Sequence, residues 1–271
     1  MDQYFVVGNP IAQSKSPFIH QLFAQQTAQA LQYDKKLIAI DEFESSVKQL
    51  QNEQVCGLNV TAPFKEQAFA LCDELSDFAA KAGAVNTLIF KDNKIIGDNT
   101  DGVGLVSDLI AHKVLLKGKR ILMLGAGGAA KGVVSALLAQ TPESLTIANR
   151  SVEKAQLIAS QYPGDKVNAL TFPELTQANY DVIINATSAG LNGQALNIPS
   201  DIFTCDVTCY DMTYARTLTP FLQFAKESGA TQLIDGLGML VGQAAQSFYL
   251  WRGVKPDIHE VTIQLRAEMS V

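Results

Sequence analysis

The stretch Arg120-Ile-Leu-Met-Leu-Gly125-Ala-Gly127-Gly128-Ala-Ala130 decides the fold. Its first five residues, four of them apolar, read as a buried strand. A G-x-G-x-x-A turn follows, and then an apolar-periodic helix expected over residues 131–140. Strand, glycine turn and helix in that order are the context a dinucleotide fingerprint requires. Gly125 permits the tight turn, and Gly127 lets backbone approach a pyrophosphate. Ala130 takes the small-residue position where helix and strand pack closely. The helix N-terminus offers unpaired N–H groups and a positive dipole end to phosphates.

The next strand, expected over residues 145–148, ends in Asn149-Arg150-Ser151, with Lys154 one turn on. An NAD site usually carries an acid here, about 20 residues past the fingerprint, to bond the ribose 2′-hydroxyl. An amide, a guanidinium and a hydroxyl suit a 2′-phosphate instead, which Arg can grip with two hydrogen bonds. The bland alternative is that Arg150 ends a strand and points to water. Fingerprint and basic terminus together predict NADP as cofactor.

A chain of 271 residues suggests one large domain or two smaller ones, and 47% hydrophobic residues suffice for sizeable cores. A formal charge of −6 argues against nucleic acid or a membrane surface as partner. Cys56, Cys72, Cys205 and Cys209 include no C-x-x-C pair, and the histidines lie far apart in sequence, so neither metal site nor disulfide framework is expected. Met1-Asp-Gln followed by a strand-length apolar run does not read as a signal peptide, and no run reaches membrane-spanning length. A cytoplasmic setting is the default expectation.

Upstream of the fingerprint the chain alternates strand and helix, which predicts an α/β fold with a mostly parallel sheet. Strands are expected at residues 4–8, 37–40 and 56–60, and a hairpin at 86–90 and 94–97 around Asp92-Asn93. Helices are expected from Ser16-Pro17 to about residue 30, over 43–51, and from Pro63 to about 72, with Ser16 as cap of the first. A connecting helix over 100–111 leads to a second α/β set with strands at 121–124, 145–148, 167–170, 182–186, 205–210 and 232–234. Two terminal helices, 237–252 and 257–269, follow. The expected organisation is a small α/β domain of residues 1–101, completed by 237–271, and a dinucleotide-binding domain of 102–236, with a cleft between them.

Three polar segments of the first domain invite chemistry. Ser14 and Ser16 lie two apart in an extended segment, so their hydroxyls share a side and could bond a carboxylate or a diol. If Ser16 caps the helix, Ser14 remains free. In Asn59-Val-Thr61-Ala-Pro63-Phe-Lys65 a cation stands in a helix's first turn, facing the positive dipole end. Such a Lys either extends into water or serves proton transfer, since local rules tend to be broken at working sites. Asn86-Thr87 and Asp98-Asn99-Thr100-Asp101 form the third segment. Asp101 either stabilises a helix N-terminus or pairs with Lys65 as a proton relay.

Taken together these residues resemble the shikimate dehydrogenase family, NADP-linked enzymes of aromatic amino-acid biosynthesis. The resemblance spans essentially the entire chain. It rests on S-K-S at 14–16, N-V-T-x-P-F-K at 59–65, A-G-A-V-N-T at 82–87, N-T-D-G-x-G at 99–104, G-A-G-G-A-A at 125–130, N-R-S at 149–151 and G-x-G-M-L-V-x-Q-A at 236–244. It implies a small α/β substrate domain, closed by the C-terminal helices and joined to a Rossmann domain. The implied activity is reversible NADPH-dependent reduction of 3-dehydroshikimate to shikimate.

The resemblance implies Lys65 and Asp101 as the catalytic pair. Ser14 and Ser16 would hold the substrate carboxylate, and Thr61, Asn86 and Gln243 the ring hydroxyls, with Asn59 and Tyr214 lining the pocket. Gly125, Ala126, Gly127, Gly128 and Ala129 would cradle the pyrophosphate. Asn149, Arg150, Ser151 and Lys154 would hold the adenosine phosphate. Thr187, Ser188, Met212, Gly236 and Met239 would lie along ribose and nicotinamide, and Asp77 falls at a further cofactor position. Ser151 and Lys154 depart from the family's frequent Thr and Arg, which loosens the 2′-phosphate grip slightly. The expected partner is a small molecule, and the expected assembly a monomer or homodimer. Two rival readings are a quinate/shikimate dehydrogenase and a non-catalytic NADP-binding sensor. Thr at 16 or an acid at 150 would favour the first, and loss of Lys65 or Asp101 the second; the sequence has none of these.

Overall fold

The computed structural model describes residues 1–164, 166–175, 179–187 and 196–270. The chain divides into two compact units, Met1–Gly104 with Leu240–Val271, and Leu105–Met239.

The first unit is built on a six-stranded mixed sheet of β1 (Asp2–Gly8), β2 (Leu31–Leu37), β3 (Gly57–Val60), β4 (Glu74–Leu75), β5 (Thr87–Lys91) and β6 (Lys94–Asp98), in the order β2-β1-β3-β5-β6-β4. β1 pairs parallel with β2 and β3, and β4 with β6. The β3/β5 and β5/β6 pairs are antiparallel. Asp92 and Asn93, both at positive φ, make the β5–β6 turn, as short side chains that tolerate that region can. Helices α1 (Ser16–Thr27), α2 (Phe43–Asn52), α3 (Lys65–Leu71) and α4 (Asp77–Ala82) connect the strands. Val7, Phe43, Val47, Leu58, Phe64, Val85 and Leu88 form one core beneath the sheet. Tyr4, Val6, Ile11 and Tyr33 form a second, against which Trp251 packs.

The second unit carries an all-parallel six-stranded sheet: β7 (Arg120–Leu124), β8 (Ser144–Ala148), β9 (Val167–Leu170), β10 (Val182–Asn185), β11 (Thr208–Asp211) and β12 (Gln232–Asp235). Its order is β12-β11-β10-β7-β8-β9. Ile121 to Leu124 are fully buried, as expected of a central strand covered on both faces. Strand order reverses between β7 and β10, and ligands of open parallel sheets bind at that switch, beyond the strands' carboxyl ends. Gly125 stands at the carboxyl end of β7. Helices α6 (Gly128–Leu138), α7 (Val152–Ala159) and α8 (Pro220–Glu227) complete the unit. Helices α5 (Asp101–Ala111) and α9 (Leu237–Arg252) each contain one of the divisions, after Gly104 and after Met239. The last helix, α10 (Ile258–Ser270), packs on α1, and Lys15 pairs with Glu268 at 2.9 Å. Among the described residues, no helix is long and apolar enough to cross a membrane.

Several elements differ from the sequence-based expectation. The second strand lies at Leu31–Leu37, not 37–40. It is an edge strand of mostly exposed polar residues with Tyr33 as its one buried side chain, so it carries little apolar signal, whereas exposed Leu37 and Ile40 carried a misleading one. Ser16 is the first residue of α1, not its cap. Ser14 Oγ accepts the Ser16 N–H at 3.3 Å and so is not free of the helix. α3 begins at Lys65 rather than Pro63, because residues 61–64 close a turn through the Phe64 N–H and the Thr61 carbonyl, at 3.0 Å. α6 begins three residues before the expected Lys131, at Gly128, so the fingerprint itself supplies the first turn.

Candidate active site

Lys65 opens α3 because the turn before it is anchored from below. Phe64 is fully buried and stacks on Phe43 at 4.7 Å between centroids. The Lys65 carbonyl accepts the Val85 N–H at 2.9 Å, which ties α3 to the segment leading into β5. Asp101 opens α5, where Asn99 Oδ1 accepts its backbone N–H at 3.2 Å and Asn99 Nδ2 donates to the Ala84 carbonyl at 3.0 Å. The two side chains meet, with Lys65 Nζ 2.5 Å from Asp101 Oδ2. The lysine side chain is 31% exposed and the carboxylate 12%, so the carboxylate is sheltered while the ammonium stays reachable. A cation opposing the α3 dipole is thereby offset by an anion that the α5 dipole favours.

Asn86 governs the other carboxylate oxygen. Its Nδ2 donates to Asp101 Oδ1 at 2.8 Å and to Thr100 Oγ1 at 3.0 Å, while its Oδ1 accepts the Thr100 N–H at 2.9 Å. Gln243, on α9, receives a long 3.5 Å bond from Asn86 Nδ2 and donates to the Leu240 carbonyl. The Thr61 N–H donates to the Val7 carbonyl, and the Thr61 hydroxyl has no partner among the described residues. Ser14 and Ser16 Oγ lie 3.3 Å apart at the start of α1, a pair of hydroxyls beside a helix N-terminus. Asn59 is buried and fully engaged: Oδ1 accepts from the Tyr33 hydroxyl at 2.7 Å, and Nδ2 donates to Ser247 Oγ, Thr87 Oγ1 and the Asn86 carbonyl. Its amide therefore braces the neighbours of Lys65 and Asp101. Of the residues expected to touch substrate, Tyr214 alone lies in the second unit, half-buried after β11.

The second unit builds a phosphate cradle. Gly125 has φ +104°, in the region that favours glycine, and its N–H donates to the Ala148 carbonyl at 2.7 Å. A Cβ on Gly127 or Gly128 would meet nothing within 4 Å, so open space lies over that backbone. Gly127 caps α6 without any side-chain bond, and no acid stands in the first turn. The N–H groups there are free to meet an anion. Ala126 and Ala130 are buried, and Ala129 is exposed. At the end of β8, Asn149 is half-buried and bonds the Ser151 carbonyl, while Arg150, Ser151 and Lys154 are exposed. Arg150 and Lys154 form no ion pair among the described residues. The cradle, its open glycines and these cations fit a dinucleotide with a 2′-phosphate.

Thr187 is held by Asn185, whose Oδ1 accepts its N–H and its hydroxyl at 3.1 and 2.7 Å. Met212 is half-buried and Met239 buried, and the Gly236 N–H donates to the Thr213 carbonyl. Ser188 lies outside the described residues. Asp77 is exposed in the first turn of α4, in the first unit, whereas the other cofactor candidates belong to the second.

Sequence comparison matches residues 6–88 to the "Shikimate dehydrogenase substrate binding domain", 108–192 to "Shikimate / quinate 5-dehydrogenase" and 236–265 to the "Shikimate 5'-dehydrogenase C-terminal domain". A relative from Colwellia psychrerythraea, named shikimate dehydrogenase (NADP(+)), is 53% identical over 269 residues, covering 99% of this chain and 98% of its own. The chain belongs to the shikimate dehydrogenase family. Among solved structures, an Ael1 enzyme from Pseudomonas putida superposes with a TM-score of 0.93 at 39% identity, covering 100% of this chain and 99% of its own. The Thermus thermophilus shikimate 5-dehydrogenase, solved with NADP(H) and shikimate, gives 0.87 at 30% identity over the whole of both chains.

Within this family fold, residues that sequence reasoning passed over do much of the bracing. Asn185 Nδ2 donates to buried Asp211, which also accepts from the Thr219 hydroxyl at 2.5 Å and the Thr213 N–H at 3.0 Å. Burial pushes the Asp211 carboxyl above its ordinary pKa. Polar residues ending otherwise apolar strands, such as Asn185 and Asp211, were the available signal. Tyr33 and Ser247 gave none, since their partners lie far away in sequence, and Thr87, noted beside Asn86, gave no sign of Asn59 or Ser247.

Proposed function

We propose that this chain is an NADP-dependent shikimate dehydrogenase, interconverting 3-dehydroshikimate and shikimate in aromatic amino-acid biosynthesis. The observation that carries the reading is the 2.5 Å contact of Lys65 with Asp101, set among hydroxyl and amide side chains. NADP, when bound, supplies or accepts the hydride.

Everything else falls to the chain. Lys65 holds the proton at the substrate oxygen: it gives it as the ketone becomes a hydroxyl and takes it back in reverse. Asp101 stays beside the ammonium as its counter-charge and keeps it aimed. Ser14 and Ser16, a hydroxyl pair at the start of α1, donate to the substrate carboxylate with help from the helix dipole. Thr61, Asn86 and Gln243 answer ring hydroxyls; a pocket of this kind rejects ligands that leave its polar groups unpaired. Asn59 contributes by bracing, because its polar atoms are already engaged. Gly125, Gly127 and Gly128 admit the pyrophosphate, and Asn149, Arg150, Ser151 and Lys154 take the 2′-phosphate.

The test is a crossed assay of shikimate and quinate against NADP⁺ and NAD⁺, read at the reduced-nicotinamide absorbance. Turnover with shikimate and NADP⁺, and little elsewhere, is expected. Preference for quinate, for NAD⁺, or no turnover at all would each contradict the assignment.

A further inference from the structure

Two groups fix the direction of the Asn86 amide. The Asp101 carboxylate can only accept, so Nδ2 faces it; the Thr100 N–H can only donate, so Oδ1 faces that. The Thr87 hydroxyl then donates to Asn86 Oδ1, at 2.9 Å, and must receive on its own lone pairs. Asn59 Nδ2 supplies that bond at 3.2 Å and a shorter one, 2.9 Å, to Ser247 Oγ. The Asn59 oxygen is thereby turned to Tyr33, whose hydroxyl donates to it at 2.7 Å. Every donor along this path points the same way, and Thr87 and Ser247 are fully buried.

Tyr33 is itself immobilised. It comes from edge strand β2, and its ring lies flat on His20, with centroids 4.0 Å apart and planes within 5°. His20 is wholly buried, so its ring fixes the plane of the Tyr33 ring, while the Ser16 side chain lies within hydrogen-bonding reach of the phenol oxygen.

We infer that Tyr33 is a positioning residue for the acid–base pair. Its hydroxyl starts a one-way chain of buried hydrogen bonds, through Asn59, Thr87 and Asn86, that holds the Asp101 carboxylate toward Lys65. Chains of this kind polarise one another: without the Tyr33 hydroxyl the buried Asn59 Oδ1 loses this donor, and without the Thr87 hydroxyl the Asn86 amide keeps its Asp101 and Thr100 bonds but loses its side-chain link to Asn59. The inference rests on the functional reading above.

The test compares Tyr33→Phe, Thr87→Val, their double variant and Thr87→Ser with wild type, using shikimate and NADP⁺. Tyr33→Phe keeps the ring and its stack. Each of the first two variants should lower kcat about tenfold, with KM for NADP⁺ within about twofold. The double should fall no further than the lower single, and Thr87→Ser, which restores a hydroxyl, should recover most of the rate. A kcat for Tyr33→Phe within about twofold of wild type, or a double variant whose loss is the product of the singles, overturns the inference. Should Thr87→Val fail to fold, Tyr33→Phe alone decides. An inactive wild type defeats the functional reading, and the inference with it.

Discussion

Lys65 Nζ and Asp101 Oδ2 stand 2.5 Å apart although 36 residues separate them in the chain. One opens α3 and the other opens α5, so two helix starts converge on one proton-handling pair. If they act as a unit, their losses do not add. Asp101→Asn should lower kcat by about 10²-fold or more, and adding Lys65→Ala to it should cost no more than Lys65→Ala alone. Steady-state rates of the two singles and the double check this; multiplicative losses would separate the roles.

Arg150 is exposed at the end of β8 and forms no ion pair among the described residues. Charge-assisted bonds to a 2′-phosphate distinguish NADP⁺ from NAD⁺. Arg150→Ala should raise KM for NADP⁺ about 10- to 100-fold and leave that for NAD⁺ nearly unchanged. Equal effects on both cofactors would mean that Arg150 does not touch the phosphate.

His20 offers a pH signature. Burial lowers its pKa from 6.5 to about 3. Between those values the unfolded chain binds a proton that the folded chain refuses, so stability falls as pH drops, by about 1.4 kcal/mol per pH unit from this group. The contribution is complete above the unfolded value. NMR of the ring should show a neutral imidazole at pH 5; a titration midpoint near 6.5 would contradict the buried setting.

Gly125 carries the turn at φ +104°, and a Cβ there would come 3.0 Å from Thr187 Cγ2. Gly125→Ala should destabilise the fold by roughly 1–2 kcal/mol in urea unfolding and raise KM for NADP⁺. Unchanged stability would show that the turn relaxes freely.

The second unit was legible because its signals are local. Continuously apolar strands, a glycine turn and a basic strand end lie within short windows, and the chain there forms one parallel sheet. The first unit was harder. Strand β2, with the sequence LQYDKKL, buries one side chain and is specified by pairing with β1 rather than by its own pattern. At the start of α1 Ser16 looks like a cap, whereas Lys15 takes the cap position and Ser16 is the first helical residue. The motifs pointed to Lys65 and Asp101 as a pair, and the fold adds their 2.5 Å contact. The bracing of Asn59 and Thr87 was invisible, since Ser247 meets Asn59 across 188 residues and Thr87 across 160.

Shikimate binding and turnover measured together on Lys65→Ala test the central claim most directly. With the ammonium gone and the hydroxyl and amide groups intact, calorimetry should still detect shikimate, while kcat with NADP⁺ falls by about 10²- to 10⁴-fold. Near-normal turnover in that variant would contradict the account.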